Sequence, residues 1–157
     1  MKTLITAEKV VELAFGDGEY LSPEVICEAD IAIAESRYLR PVVGEEMMQA
    51  MADGSYPTLV EEYVAPALAM AVRTLIQPAL NVRTGQCGLS IASTYRSDSA
   101  TKSATEALLC SLVKRRRALF QRLSDHLKTN VAEYAEYELS RDAKQKYSIY
   151  GGIVQIH

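Results

Sequence analysis

The chain has 157 residues and carries 17 basic and 20 acidic side chains, which gives a net charge of -3. With 48% hydrophobic and 24% charged residues, its composition is that of a folded globular domain, which excludes a collagen-like, membrane or wholly disordered chain. We expect one domain over residues 1–157, because domains usually contain roughly 100 to 150 residues. The acidic balance excludes an overall positive field for nucleic acid, so any such contact has to be a local patch.

Three cysteines and two histidines provide little material for catalysis or metal binding. Cys27, Cys87 and Cys110 lack Cys-x-x-Cys spacing, so neither a disulfide framework nor a zinc site is predicted. His126 lies in a charged helical segment and His157 ends the sequence. We therefore predict no catalytic residue, no cofactor, no metal and no enzymatic activity.

The sequence predicts neither an export signal nor a membrane contact. The N-terminus reaches charged residues without a long apolar core. The longest apolar run, residues 64–72, is much shorter than the roughly 20 residues that span a bilayer.

Capping residues at the start and glycine or proline at the end predict five helices. They are expected over residues 7–15, 23–39, 45–52, 57–77 and 103–139. The second should begin at Pro23 and stop before Pro41, since the residue before a proline is disfavoured in a helix. The fourth is apolar on every side from Val64 to Val72, so it should lie at the centre of the core, with Pro66 either kinking or splitting it.

Two segments lack a helical pattern. Residues 79–100 contain Gly85 and Gly88 between short apolar pieces, which favours a hairpin or a long loop. The tail covers residues 141–157, and its last residues resemble a lone strand. Such a strand needs a partner, either in that loop or on another chain. The expected fold class is therefore all-α: a small bundle of about five helices with a long final helix, a hairpin-like loop and a short C-terminal strand.

A basic segment, Lys114, Arg115, Arg116 and Arg117, lies on the final helix. Lys114 and Arg117 fall on its outward face, where a solvated surface is a better interpretation than nucleic-acid binding in an acidic chain. Arg116 falls on the apolar stripe and needs a polar partner. We expect an ion pair with an acid of the second or fourth helix, such as Glu35 or Glu62, or with a neighbouring subunit.

The second helix carries two apolar stripes, whereas a surface helix needs only one. The first contains Val25, Ile26, Ala29, Ala32 and Ile33. The second, formed by Ile31, Ala34 and Tyr38, is either enclosed by the long helix or part of a subunit interface.

Two segments together point to a known family. Residues 30–44 read Asp-Ile-Ala-Ile-Ala-Glu-Ser-Arg-Tyr-Leu-Arg-Pro-Val-Val-Gly, and residues 63–69 read Tyr-Val-Ala-Pro-Ala-Leu-Ala. This pattern resembles small head-tail connector proteins of tailed bacteriophages and prophages, of the Bacteroidales type, over about residues 4–139. The chain departs from commoner connectors in having no tryptophan, and hence no Trp-Tyr signature near the end of the central helix.

The resemblance implies a structural virion protein at the head-tail junction, made in the bacterial host cytoplasm. Its subunits would form a dodecameric ring that docks on the portal and joins the DNA-filled head to the tail. The implied partners are the chain itself, the portal protein and a tail or stopper protein, with packaged DNA in the channel as an open possibility. The residues expected at the oligomer or portal interface are Ile31, Ala34, Tyr38, Asn81, Arg83, Gln86, Leu89, Ile91, Tyr95, Arg96, Tyr150, Ile153 and Val154.

The alternative is a small helical DNA-binding or regulatory protein, in which the second and third helices would form a helix-turn-helix. The third helix begins with Glu45 and Glu46 followed by two methionines, which is unlike a basic recognition helix.

Overall fold

The computed structural model describes residues 3–16, 19–80, 82–85, 88–91, 102–138, 141–142, 147–150 and 153–156. It confirms the all-α class, with five helices and a long final one. Three helices are regular: α1, Ala7–Ala14; α3, Glu45–Ala52; and α5, Lys102–Thr129. Helix α2, residues 28–43, contains a π-helical turn at Glu35–Leu39 between Glu28–Ala34 and Arg40–Val43. Helix α4, residues 57–80, contains a π-helical turn at Val60–Val64 between Pro57–Leu59 and Ala65–Leu80.

Two antiparallel hairpins accompany the helices. Strand β1, Val82–Gly85, pairs with β2, Gly88–Ile91, and strand β3, Tyr147–Tyr150, pairs with β4, Ile153–Ile156. The prediction of a lone C-terminal strand is therefore wrong, because the partner of β4 is the preceding segment of the same chain. The sequence signal is the glycine pair between β3 and β4, which is typical of a two-residue hairpin connection.

Helix α4 is the centre of the core, as its sequence predicts. Residues 67–72 are six consecutive side chains that are each no more than 1% exposed. Helices α1, α2 and α5 pack around α4. An apolar helix of this kind is stable only when neighbours cover every side, and the alanines let those neighbours approach closely.

Both π-helical turns lie two residues before a proline. The turn in α2 precedes Pro41 and the turn in α4 precedes Pro66. A proline lacks an N–H and its ring clashes with the carbonyl four residues earlier, which would break a regular α-helix. The wider π-helical turn lets each helix continue through its proline. The expected stop before Pro41 is therefore wrong, and α4 is not split at Pro66.

Other helix ends also differ from prediction. Pro23 opens only a 3₁₀ turn, and α2 starts after Cys27, whose backbone N–H donates to the Asp30 carboxylate at 3.3 Å. Helix α2 ends at Gly44, which has a φ of 84°. Helix α4 continues past Pro78 to Leu80.

Helix α5 is shorter than expected, because it ends at Thr129 rather than near residue 139. The Asn130 side chain donates to the His126 carbonyl oxygen at 3.0 Å and satisfies one carbonyl of the last turn. The chain then folds back and buries Tyr137, whose hydroxyl donates to Asp142 at 2.6 Å. Ser124 on α5 donates to the same buried carboxylate at 2.5 Å. These hydrogen bonds fasten the segment after α5 to the helix.

No helix among the described residues is both long enough and apolar enough to cross a membrane.

Candidate interaction sites

The basic segment of α5 lies on the surface, with one exception. Lys114, Arg115 and Arg117 are exposed, whereas Arg116 is half-buried on the side that faces α2. This is the distribution that a helical period of 3.6 residues predicts from the apolar stripe.

Neither Glu35 nor Glu62 is the partner of Arg116, and the ion pair with a neighbouring subunit stays a prediction. Its guanidinium carbon lies 4.2 Å from the centre of the Tyr38 ring, and within the described residues it forms no ion pair. The Glu35 carboxylate instead accepts a hydrogen bond from the Leu4 backbone N–H at 2.7 Å, and Glu62 is exposed. Arg116 is only half-buried, so the face of an aromatic ring and the adjacent water suffice to accommodate its charge.

Tyr38 forms the floor of a pocket of about 200 Å³ between α2 and α5. Three arginines line it: Arg37 from the π-helical turn of α2, and Arg116 and Arg117 from α5. The carbon of the Arg37 guanidinium is 5.5 Å from the Tyr38 ring centre, and the Phe120 ring lies 6.3 Å from that of Tyr38 at a tilt of 45°. We call these residues, with Pro41 and Val42, the Tyr38 pocket.

The π-helical turn of α2 places the charged side chains of Glu35 and Arg37 in different surroundings. Glu35, at the start of the turn, is 8% exposed and bonds to Leu4, whereas Arg37 is exposed at the Tyr38 pocket. Burial raises the pKa of Glu35, and the Leu4 hydrogen bond acts in the opposite direction. No acidic side chain lines the pocket.

The second π-helical turn places another tyrosine against α5. Tyr63 stacks on His126 with ring centres 4.0 Å apart, and the Arg122 guanidinium carbon lies 4.8 Å from the Tyr63 ring centre. The Nε2 atom of His126 is 3.0 Å from the Tyr134 hydroxyl, and its Nδ1 atom is 3.3 Å from the Asn130 amide. Both ring nitrogens of His126 therefore have a polar partner, and its ring face is covered by Tyr63.

An ion pair between the buried Arg73 and the half-exposed Glu19, which the sequence analysis missed, connects α4 to the segment after α1. Arg73 is 5% exposed and donates to both carboxylate oxygens of Glu19 and to the carbonyl oxygen of Ala14. Its guanidinium lies over the Phe15 ring, and the Nε–H donates to Gln77 at 3.4 Å. The hydrogen bonds from Arg73 and from the Gly16 N–H lower the pKa of Glu19. The available signal was an arginine directly after the apolar run.

The second apolar stripe, which was considered for a subunit interface, is enclosed by the protein, whereas two residues of the first stripe are exposed. Ile31 and Ala34 are buried where α2 packs on α4, and Tyr38 packs on α5, so this stripe is enclosed, but by α4 as well as by the long helix. A side chain that is no more than 1% exposed offers no surface to a second subunit. On the other stripe, Val25 and Ile33 are 49% and 50% exposed.

The other predicted interface residues belong to the hairpins or lie outside the described residues. Asn81, Gln86, Tyr95 and Arg96 lie outside them. The structure places the backbone of the remaining six on strands, namely Arg83, Leu89, Ile91, Tyr150, Ile153 and Val154. Each hairpin forms a separate two-stranded sheet, so its two outer edges have no strand partner within the described residues.

Metal binding has no geometric support in the described part of the chain, where no group of three or more histidine, cysteine, aspartate or glutamate side chains is arranged to hold an ion.

A family model described as a family of unknown function, DUF6712, matches residues 22–147, about four-fifths of the chain. The chain belongs to DUF6712. No curated protein and no solved structure matches it.

The DUF6712 match includes some of these sites completely and divides others. The Tyr38 pocket lies wholly within residues 22–147, and so do Tyr63 and the residues around it, namely Arg122, His126, Asn130 and Tyr134. The Arg73 ion pair does not, because Ala14 and Glu19 precede the match. The match ends at the first residue of β3.

Proposed function

We propose that the chain is a structural head-tail connector of a tailed bacteriophage or prophage, a ring subunit that docks on the portal and joins the head to the tail. The resemblance of residues 30–44 and 63–69 to such connectors suggests this function. The structural observation in its favour is the pair of hairpins whose outer edges have no strand partner in the described part of the chain.

Open hairpin edges suit assembly with further copies of the chain. A two-stranded hairpin is marginally stable alone, and its free N–H and C=O groups form a template for another strand. If an edge on one copy pairs with a different edge on the next, the contact is heterologous, and repeated contacts of this kind close into a ring. In a connector, the outer edges of both hairpins would form contacts between subunits.

Helix α5 offers a further surface for a neighbour. Its first ten residues, 102–111, include no buried side chain, and its buried positions begin at Leu112. At 1.5 Å per residue this exposed part is about 15 Å long. It buries no side chain in the core of its own subunit, and the connector proposal assigns this surface to a contact with a neighbouring subunit.

The experiment is native mass spectrometry with negative-stain microscopy of the full chain, alone and with the portal protein encoded by the same genome. A ring or a complex with the portal is expected. Because a connector subunit can be monomeric before assembly, the mixture with the portal is decisive. If the chain stays monomeric there, the proposal is wrong.

A substitution in β4 tests the role of the hairpin edge. Val154 is opposite Ile149, and two residues separate the strands. Counting from such a turn, this is the second pair, whose backbone N–H and C=O groups face outward. Val154→Pro should remove an outward donor and prevent assembly while the helical circular dichroism is kept. Val154→Thr, which keeps the N–H and the branched side chain, is the matched control and should assemble.

The DNA-binding alternative has weaker support. Helix α3, the candidate recognition helix, begins with the exposed residues Glu45 and Glu46, and Glu45 pairs with Arg40 at 3.0 Å. A dimer with salt-sensitive affinity for duplex DNA in the same experiments would favour this alternative over the connector.

A further inference from the structure

The Tyr38 pocket concentrates positive charge in an acidic chain. Arg37, Arg116 and Arg117 line it, and within the described residues none of the three has a carboxylate partner. Arg40, also on α2, is different because Glu45 neutralises it at 3.0 Å. The pocket therefore holds three uncompensated guanidinium groups, although the net charge of the chain is -3.

Arg116 is the most firmly held of the three arginines, whereas Arg37 and Arg117 are exposed. Arg116 is half-buried and lies over the Tyr38 ring, which also packs near the buried Phe120. The face of an aromatic ring attracts the guanidinium of Arg116 without offering a carboxylate or carbonyl acceptor, so its N–H groups remain able to donate to an incoming group. Because Arg116 is already held in place, little of its rotamer entropy is lost when a ligand binds.

We propose that the Tyr38 pocket binds the carboxylate of a glutamate or aspartate from an acidic segment of a partner protein. Guanidinium groups hold carboxylates through paired, charge-assisted hydrogen bonds. The apolar walls formed by Pro41, Val42 and Phe120 suit the methylene groups of such a side chain. The proposal does not depend on ring formation.

The shape and charge of the site favour a protein segment over nucleic acid. A pocket of about 200 Å³ is recessed and has room for one side-chain end group. A duplex is convex and needs a broad basic surface, whereas this pocket is narrow and the chain has a net charge of -3.

The test is an NMR titration of the full chain that follows the arginine Nε–Hε signals at about 0.15 M salt, where weak surface attraction is screened. The probe is a capped peptide of five glutamates, with a capped peptide of five glutamines as its uncharged control and a 20-base-pair duplex as the competing ligand. We expect saturable shifts of Arg37 and Arg116 with the glutamate peptide and none with the glutamine peptide.

Variants then locate the binding. Arg116→Gln should weaken the affinity for the glutamate peptide at least about tenfold, since a charge-assisted pair is lost. Arg115→Gln removes the same charge from the neighbouring position outside the pocket and should change the affinity less than about twofold. Arg117→Gln, at an exposed position, should also weaken binding. It replaces Arg116→Gln as the test variant if Arg116→Gln lowers the melting temperature.

Three results would overturn the proposal: no saturable shift with the glutamate peptide, equal losses in Arg115→Gln and in the pocket variants, or tighter binding of the duplex at the same arginines. The last would identify a nucleic-acid site instead.

Discussion

Glu35 and Glu19 are two glutamates in opposite electrostatic environments. Burial raises the pKa of Glu35, whose carboxylate has only the Leu4 N–H as its hydrogen-bond partner in the described residues. The hydrogen bond from Arg73 lowers the pKa of Glu19. In one case the fold opposes the ionised form, and in the other it stabilises that form.

Glu35→Gln should leave the chain at least as stable as the wild type at pH 7. The amide oxygen can still accept the Leu4 N–H, and the cost of burying a charge disappears. Because the folded-state pKa of Glu35 is raised, its protonated form favours folding below the unfolded value near 4.5, and this contribution is lost as pH rises through the folded pKa. The gain from the substitution should therefore shrink as pH falls toward 4.5, which urea unfolding at several pH values would measure.

Glu19→Gln is the matched control with the opposite sign. At pH 7 it should lower the free energy of unfolding by about 1–2 kcal/mol, since a charged partner of Arg73 is lost at a half-exposed position. Its lowered pKa means that Glu19 stabilises the fold above pH 4.5 and ceases to do so as pH falls through the folded value. If Glu35→Gln destabilised the chain as much as Glu19→Gln at pH 7, this account of Glu35 would be wrong.

The position of Arg116 was predictable and its partner was not. Periodicity places Arg116 on the apolar stripe, and a buried charge needs a partner. The choice between a carboxylate and an aromatic face depends on how residues 35–39 turn, 77 positions or more earlier in the chain. No local pattern in the sequence reports that turn.

At the scale of elements, the five helices were predictable because their starts and stops are local. Thr6 accepts a hydrogen bond from the Lys9 N–H at 3.4 Å, as expected of a capping residue. The ends of α2 and α5 were mispredicted because tertiary packing decides them. Helix α2 continues through Pro41 by means of a π-helical turn, and after α5 the chain leaves the helical path to bury Tyr137.

Gly44 forms the junction between α2 and α3. Its φ of 84° and ψ of 170° lie in a region that is essentially restricted to glycine. Gly44→Ala should cost about 1–3 kcal/mol of stability through backbone strain alone, because an added Cβ would meet no atom within 4 Å. Thermal or urea unfolding would measure the loss.

Gly16→Ala is the control for Gly44→Ala. Gly16 is not among the glycines with positive φ, and its added Cβ would lie 3.8 Å from Glu19, an ordinary contact. The free energy of unfolding of Gly16→Ala should stay the same or rise slightly, because alanine restricts the unfolded chain. Equal losses in both variants would contradict the assignment of strain to Gly44.

At the scale of the whole molecule, the described helices differ in how firmly the core holds them. Residues 67–72 of α4 are enclosed on every side, whereas residues 102–111 of α5 bury no side chain. Local opening is easiest where few apolar contacts are lost. The apolar run of α4 made the first fact predictable, but the leucines at 108 and 109 gave no sign that the start of α5 leaves the core.

Hydrogen exchange of the monomeric chain should follow this difference. We expect amides of residues 102–111 to exchange more than about tenfold faster than those of residues 112–127, with residues 67–72 the slowest. Mass spectrometry of peptic fragments would resolve the three segments. Uniform protection along α5 in the monomer would show that its first turns are held as firmly as the rest.

The Arg73 ion pair has a consequence for where the autonomous folding unit begins. The family match starts at residue 22, but the carboxylate and the carbonyl oxygen that neutralise Arg73 belong to Glu19 and Ala14. A fragment cut to the matched residues would lose both acceptors and the Phe15 ring that covers Arg73, so the charge-assisted hydrogen bonds and the packing of this side chain would be lost. It would also uncover the face of α4 against which α1 packs. The smallest piece able to fold alone therefore reaches upstream of the family boundary and includes α1.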